Sequence, residues 1–475
     1  MGNHTGQESG MDQPQHADVV VIGLGPGGEY LAGTLAAAGL QVTGIESRLV
    51  GGACPYYGCV PSKMMIRAAN LIAETRRVPG MAGTSAVTPD WSPVARRIRE
   101  EATDDWNDKV AADRLTGKGG HLIRGRGKIT GAGRVTVTGA GGTQVVTARK
   151  GIVINTGTDP AIPPVDGLAG TPYWTNREIV QAERVPESLI VLGGGAIGAE
   201  LAQVFARFGT AVTVIEALPR LVSFEEPEAS ALIERVFAAE GITVRTQARA
   251  EKVSYDGRGF TVHLDQDSCT AERLLVCTGR RTDLAALGVA AVGLDPAATV
   301  IPTDGRMRAA DRVWAIGDVT GKGAFTHMSM YQADIAVRDI LGQGGEPADY
   351  RAVPRVTFTD PEIGSVGLTE EQARAAGLRV RTGTTQVPYS ARGWIHKAGN
   401  DGFIKVVEDA DRSVLVGATS AGPVGGEVLS ALQVAIRAEV PVATLRNMPY
   451  AYPTFHRAIE DALKNLDEAE GSRSS

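Results

Sequence analysis

Cysteine is scarce in this chain. Four occur among 475 residues, too few for the disulfide-framed scaffold of a small secreted domain. Long apolar runs are also missing: no uninterrupted stretch reaches the roughly 20 residues of a membrane-spanning helix, so no membrane partner is expected. Basic residues are not in excess, and a net charge of −6 disfavours a nucleic-acid partner. Aromatic residues make up only 5%, which offers no aromatic-lined substrate box. The first sixteen residues, through His16, are polar and lack the apolar core of a secretory signal. Residues 1–16 therefore read as a disordered tail, and the location as cytoplasmic. What remains is ordinary for a globular enzyme, with 43% hydrophobic and 21% charged residues in a chain long enough for two or three domains.

Two of the four cysteines stand close together, in Gly51-Gly52-Ala53-Cys54-Pro55-Tyr56-Tyr57-Gly58-Cys59-Val60-Pro61-Ser62-Lys63. In a regular helix, residues i and i+5 have Cα atoms about 8–9 Å apart, whereas a disulfide tolerates at most about 7 Å. The pair can bond only across a distorted turn. Pro55 and Gly58 suit such a turn, Pro61 suits the first turn of a helix, and 64–72 reads as that helix. A thiolate at a helix start is stabilised. The alternatives are two buried structural cysteines or half of a metal site, and no Cys or His cluster completes a metal set. Cys269 and Cys277 lie far along the chain and read as buried or incidental.

The same region follows a glycine loop. Asp18-Val-Val-Val-Ile-Gly23-Leu-Gly25-Pro-Gly27-Gly28 is an apolar run, then G-x-G-x-x-G, then a helical stretch at 29–38. A strand at 41–45 ends before Glu46. Strand, tight turn, helix, strand and acid make the full dinucleotide unit. Its glycines let the backbone approach a pyrophosphate at a helix N-terminus, and its acid takes a ribose hydroxyl. A second copy begins at Ser188-Leu-Ile-Val-Leu-Gly193-Gly-Gly195-Ala-Ile-Gly198-Ala-Glu200. Its helix runs to about Phe208, and its strand at 211–215 ends before Glu216. Two units imply two dinucleotides, one FAD and one nicotinamide, and the motif alone does not say which is which. An acid after the second strand repels a 2′-phosphate. NADH is therefore expected over NADPH, with Arg220 placed to soften the preference.

Further motifs follow in order: Thr156-Gly157, Cys277-Thr278-Gly279-Arg280-Arg281, Val313-Trp-Ala-Ile-Gly317-Asp318, Phe325-Thr-His327-Met-Ser-Met-Tyr-Gln332, and Pro354 to Gly367. Together with the cysteine pair, they make the chain resemble the FAD-dependent pyridine nucleotide-disulfide oxidoreductases, from about Ala17 to Leu466. These are the flavoprotein disulfide reductases of the lipoamide dehydrogenase, glutathione reductase and mercuric reductase type. The resemblance implies an α/β fold with two Rossmann-like dinucleotide-binding domains and an α+β C-terminal dimerisation domain. FAD falls to 17–156 and 278–346, the nicotinamide to 157–277, and dimerisation to 347–475. Residues 90–113, with Trp91 and Trp106, read as helical within the first domain.

By the same resemblance, Gly52, Thr156, Gly157, Gly279, Gly317 and Asp318 join Gly23, Gly25, Gly28, Glu46, Gly193, Gly195, Gly198 and Glu216 as cofactor-binding residues. Cys59 resembles the thiol beside the flavin, and Cys54 the interchange thiol that attacks the acceptor. Lys63 and Glu200 match the pair near the reactive flavin nitrogen. A homodimer is implied, because in this family the partner's C-terminal segment completes the disulfide site.

That segment departs from the pattern. Where the common disulfide reductases carry a histidine before Pro-Thr and a glutamate five residues later, this chain has Tyr452 and Arg457. The acid–base dyad is missing. A phenol, with a pKa of about 10, is a poor base at neutral pH but still donates a proton or hydrogen bond. Tyrosine here is closer to mercuric reductases, yet their C-terminal cysteine pair has no counterpart before Ser475. His456, four residues after Tyr452, is a candidate replacement base if both share a helical face; the alternative is a capping histidine. Tyr56 and Tyr57 either wall the substrate or pack the distorted turn.

The expected function is electron transfer from NAD(P)H through FAD to a Cys54–Cys59 disulfide, and on to a disulfide-type or other small acceptor. The alternative is direct reduction of a quinone or metal ion by the flavin. A non-catalytic sensing subunit is disfavoured by two intact nucleotide units. A thioredoxin-reductase-like layout, with a C-x-x-C pair inside the nicotinamide domain, does not fit.

Overall fold

The computed structural model describes residues 15–466. These fall into two compact units. The first takes the described residues up to Cys54 together with Trp106–Asp159 and Arg281–Ala348; the second takes Pro55–Asp105, Pro160–Arg280 and those from Asp349 onward.

The first unit is built on an eight-stranded sheet. Its main path runs Arg308–Ala310, Val313–Ala315, Gly142–Ile154, Gln15–Ile22, Val42–Glu46, His121–Arg124. Gln15–Ile22 pairs in parallel with both Val42–Glu46 and Gly142–Ile154, with Ile22 opposite Ile45 on one side and Ile154 on the other. Strands buried on both faces read as continuous apolar runs rather than alternating ones, as Val19-Val20-Val21-Ile22 does. Ile22, Ile45, Ile152, Ile154 and Val313 share one core with Val135 and Leu284. The crossover helix, Pro26–Ala37, packs against the later helix Thr326–Ile340. Their approach is so close that a Cβ at Gly27 would lie 2.3 Å from Ser329 Oγ.

The second unit repeats the pattern at smaller scale. A four-stranded parallel sheet is ordered Thr243–Arg245, Ala211–Ile215, Ser188–Leu192, Arg273–Val276, with Ala196–Arg207 as its first crossover helix. The same unit holds a five-stranded antiparallel sheet ordered Pro354–Thr357, Glu362–Gly367, Val414–Gly422, Phe403–Asp409, Val380–Gln386. Helices Gly425–Arg437 and Ala458–Lys464 supply Leu429, Leu432, Ile459 and Leu463 to the core it shares with Val366, Ile404 and Val406. The architecture is the expected one: two Rossmann-like sheets and an α+β C-terminal portion.

Two expectations need correction. The tail does not extend to His16: Gln15 and His16 already pair with Val146 and Thr147, so the first strand starts at Gln15. Residues 1–14 and 467–475 lie outside the described residues. Residues 90–113 are not one helix. A helix at Ser92–Arg97 passes into a π-helical turn at Ile98–Ala102. The chain then breaks at Asp104, Asp105 and Trp106, all with φ between 46° and 55°, before Lys109–Gly117 resumes. Three successive left-handed residues cannot sit in a right-handed helix, and apolar periodicity alone does not reveal them.

Candidate active site

In the first unit, the glycine loop joins the strand Gln15–Ile22 to the helix Pro26–Ala37. Gly23 has φ +90°, and a Cβ there would lie 2.4 Å from Asn155 O; a Cβ at Gly28 would lie 2.2 Å from Gly23 O. Only glycine fits either position. Glu46, buried at the end of its strand, accepts the Leu24 N–H at 2.7 Å and the Arg48 N–H at 2.8 Å. Burial pushes its carboxyl up, against these backbone donors. Gly52 lies against the loop, where a Cβ would meet Gly25 Cα at 2.7 Å. Gly317 lies over Asn155 and Ser329, donating its N–H to Gln332 Oε1 at 2.7 Å. Asp318 accepts from Thr158 Oγ1 at 2.9 Å, just beyond Thr156 and Gly157.

The second unit reproduces this cradle. Gly193 has φ +102°, and a Cβ at Gly198 would lie 2.0 Å from Gly193 O. Glu216 accepts the Gly194 N–H at 2.6 Å and the Leu218 N–H at 2.7 Å. Gly195 and Gly279 face open space. Cys277, at the end of the neighbouring strand, has its thiol pushed up to about 12 by burial. Arg220 is fully engaged: it donates to Ser223 O, Glu225 O and Ser230 Oγ at 2.7–2.8 Å. In both cradles the middle glycine caps the start of a helix, open at Gly195 and with Asn155 Nδ2 3.4 Å from a Cβ at Gly25, a placement that fits a dinucleotide pyrophosphate.

The cysteine pair falls on a broken helix. Cys54 lies in a short helix, Ala53–Tyr57, and Cys59 opens a second one, Cys59–Arg77, after Gly58 leaves the helical region at φ −135°, ψ −119°. The distorted turn that the spacing demanded is present. Tyr56 is buried, and Tyr57 lies under the Arg177 guanidinium, 5.5 Å from its ring centre.

One turn along that helix, Lys63 Nζ meets Glu200 Oε2 at 2.8 Å. Glu200 comes from the Ala196–Arg207 helix, is 6% exposed, and accepts the Phe358 N–H on its other oxygen at 2.8 Å. The Phe358 ring lies 4.5 Å beneath Lys63 Nζ. Two residues 137 positions apart are thereby brought together as the motifs required.

A family model described as pyridine nucleotide-disulphide oxidoreductase matches residues 17–338, and the dimerisation domain of the same family matches 353–463. The chain belongs to this family. It is 34% identical to a dihydrolipoyl dehydrogenase of Chlorobaculum tepidum, over 96% of this chain and 98% of that protein. It is 31% identical to a mercuric reductase of Shewanella putrefaciens, over 95% and 81%. Among solved structures, the Cu(II) complex of the HOCl-induced flavoprotein disulfide reductase RclA from Escherichia coli superposes with a TM-score of 0.83. Its identity is 27%, over 95% of this chain and 99% of that one. A pyridine nucleotide-disulphide oxidoreductase is an FAD-dependent enzyme that draws electrons from NAD(P)H. No helix among the described residues is long and apolar enough to cross a membrane.

The C-terminal segment of this oxidoreductase corrects one expectation. Tyr452 and His456 do not share a helical face: residues 451–457 form turns, and the helix begins at Ala458. Pro453 follows Tyr452 through a cis peptide bond. Tyr452 is 71% exposed, with the Arg457 guanidinium 5.6 Å from its ring centre. Arg457 also pairs with Glu460 at 2.6 Å. His456 Nε2 lies 3.4 Å from Thr454 Oγ1.

The sequence reading missed Phe358, which holds Glu200 through its backbone and Lys63 through its ring. It sits inside the Pro354–Gly367 motif, but a backbone N–H leaves no residue-type signal. Thr158 was also missed, although it directly follows Thr156-Gly157.

Proposed function

We propose that this enzyme passes electrons from NADH through FAD to a Cys54–Cys59 disulfide, and from there to a small disulfide-type acceptor. The observation that carries the reading is the helix break at Gly58, which separates the two cysteines onto two helix starts, one turn ahead of the Lys63–Glu200 pair.

FAD, when bound, supplies the step from a two-electron hydride donor to thiol chemistry. Cys59 takes the electron pair as the Sγ–Sγ bond breaks, and Cys54 leaves as the thiolate that attacks the acceptor disulfide. Lys63, fixed by Glu200, stabilises negative charge on the cofactor. Tyr452 donates a proton or hydrogen bond to the departing acceptor thiolate, in the place where a histidine is usual; His456 is the candidate base. The C-terminal segment comes from a second copy, so the working enzyme is a homodimer. FAD would be held by 17–156 with 278–346, through Gly23, Gly25, Gly28, Glu46, Gly52, Thr156, Gly157, Gly317 and Asp318. NADH would be held by 157–277, through Gly193, Gly195, Gly198 and Glu216 with Gly279, and residues 347–475 would pair the subunits. Glu216 repels a 2′-phosphate, and Arg220, engaged by three oxygens, does not offset it. A pair that NADH must keep reduced suits the cytoplasm.

Anaerobic titration of the flavoprotein with NADH tests this. A broad long-wavelength band with the flavin still oxidised is the expected result, and Cys54→Ala abolishes turnover with disulfide acceptors. The second reading, direct reduction of quinones or metal ions at the flavin, is favoured by the missing His-Glu dyad and by mercuric reductase among the relatives. Full turnover of Cys54→Ala would establish it.

A further inference from the structure

Lys63 and Glu200 are two corners of a closed arrangement whose third corner is Phe358. Glu200 accepts from Lys63 Nζ on one carboxylate oxygen and from the Phe358 N–H on the other, both at 2.8 Å. The Phe358 ring then returns to Lys63, with the ammonium 4.5 Å from the ring centre, inside the roughly 6 Å reach of a cation–π contact. The ring is held in place from both sides. Its own N–H rests on Glu200, and two residues on, Asp360 is gripped by the same helix, Ala196–Arg207. Gln203, one turn past Glu200, accepts the Asp360 N–H at 2.8 Å and donates to the Asp360 C=O at 2.9 Å. Arg207 donates to the Asp360 carboxylate at 2.8 Å. Gln203 and Arg207 are both buried. Lys63 is different, with 34% of its side chain exposed. An ion pair alone holds a flexible stem weakly at that exposure, and the ring adds a second restraint.

We propose that Phe358 is a positioning residue: the face of its ring, and not only its backbone N–H, keeps the Lys63 ammonium where it stabilises negative charge on the reduced flavin. The second half rests on the reading of Lys63 as acting on the cofactor. A cation is drawn to the ring's negative face, so the contact depends on the ring's electrons as well as on its bulk. An apolar side chain of similar size would fill the space beside Lys63 and leave the ammonium held by Glu200 alone.

The test weakens the ring face without removing the ring. Phenylalanine bearing one, two or three ring fluorines is placed at position 358, which keeps the size and the backbone bond while draining charge from the face. Each FAD-loaded enzyme is labelled with a trace of acetic anhydride. Acetylation of Lys63 is counted by mass spectrometry against the exposed Lys109, and the midpoint potential of the bound FAD is read from its visible spectrum. Lys63 labelling should climb stepwise with fluorine number and reach about two- to fivefold in Phe358→Leu, which has no ring. The potential should become more negative in step, by about 10–20 mV for the same fold-change in a two-electron couple. Phe358→Tyr, which keeps the face, should match the wild type in both. Labelling that ignores the fluorine count overturns the inference and leaves the reading of Lys63 standing. Graded labelling with a fixed potential overturns that reading, and the second half of the inference with it.

Discussion

Lys405 is the strongest single test of how the second unit is held together. Its ammonium, only 4% exposed, meets Glu226 at 3.0 Å, Glu228 at 2.7 Å and Glu370 at 3.0 Å. Burial works against the charge, but the three carboxylates outweigh it and hold Lys405 above the usual ammonium range. A lysine raised in this way contributes stability that is fully present below its unfolded pKa, about 10.4, and lost only as pH rises through the folded value. Its contribution is therefore constant across neutral pH. Lys405→Met changes this. Glu228 and Glu370, at 44% and 29% exposed, can return to water. Glu226, at 3%, cannot, although it keeps the Glu370 N–H at 2.7 Å. Stranding one buried charge costs about 3–5 kcal/mol, and the retained backbone bond places the expectation near the lower end, about 3 kcal/mol. Urea unfolding of the holoprotein at pH 8 measures the loss, and Lys405→Met combined with Glu226→Gln should recover part of it. A cost under about 1 kcal/mol, or no recovery in the double variant, would refute the reasoning.

Other perturbations separate the two cradles. Gly198→Ala would place a Cβ 2.0 Å from Gly193 O; overpacking of about 1–3 kcal/mol should weaken NADH binding about ten- to a hundredfold while FAD content, read from the visible spectrum, stays at one per chain. Wild-type kcat/KM should favour NADH, and Glu216→Ala should narrow the gap; comparable values for NADH and NADPH in the wild type would defeat the assignment. Asp108 accepts the Val50 N–H at 2.6 Å and pairs through both oxygens with Arg124. Burial raises its carboxyl, but these partners outweigh it and leave it below the usual range. A depressed carboxyl stabilises above its unfolded pKa and loses that stability as pH falls through the folded value. Asp108→Asn should cost about 2 kcal/mol at pH 7 and progressively less as pH falls, as thermal melts over a descending pH series would show.

Much of the fold was legible because its signals are local. Each cradle compresses strand, turn, helix and acid into some thirty residues, and the steric demands on Gly28 and Gly198 admit no other residue. The Lys63–Glu200 pair was legible only because each partner sits at a fixed offset within its own motif. Where the determinants are backbone conformations, the reading failed. Asp104, Asp105 and Trp106 take left-handed φ without glycine, and residues 451–457 form turns rather than helix. Neither leaves a periodicity to read. Phe358 escaped for a different reason: its contribution to Glu200 is an N–H that every residue but proline carries.

The two acids explain why the motif could not assign the cofactors. Glu46 and Glu216 do the same mechanical work, each accepting one N–H from its glycine loop 22 residues earlier and another two residues later. Their loop geometry is the same, so the pattern that encodes it is the same. What differs is the surroundings: Glu46 is buried and its carboxyl pushed up, whereas Glu216 is only half-buried. A cofactor retained through many turnovers tolerates an acid enclosed by the fold. A nicotinamide that must enter and leave on each cycle is better served by an acid that water already reaches. The contrast in burial, which three-dimensional packing creates and no motif spells out, thus favours FAD at Glu46 and NADH at Glu216.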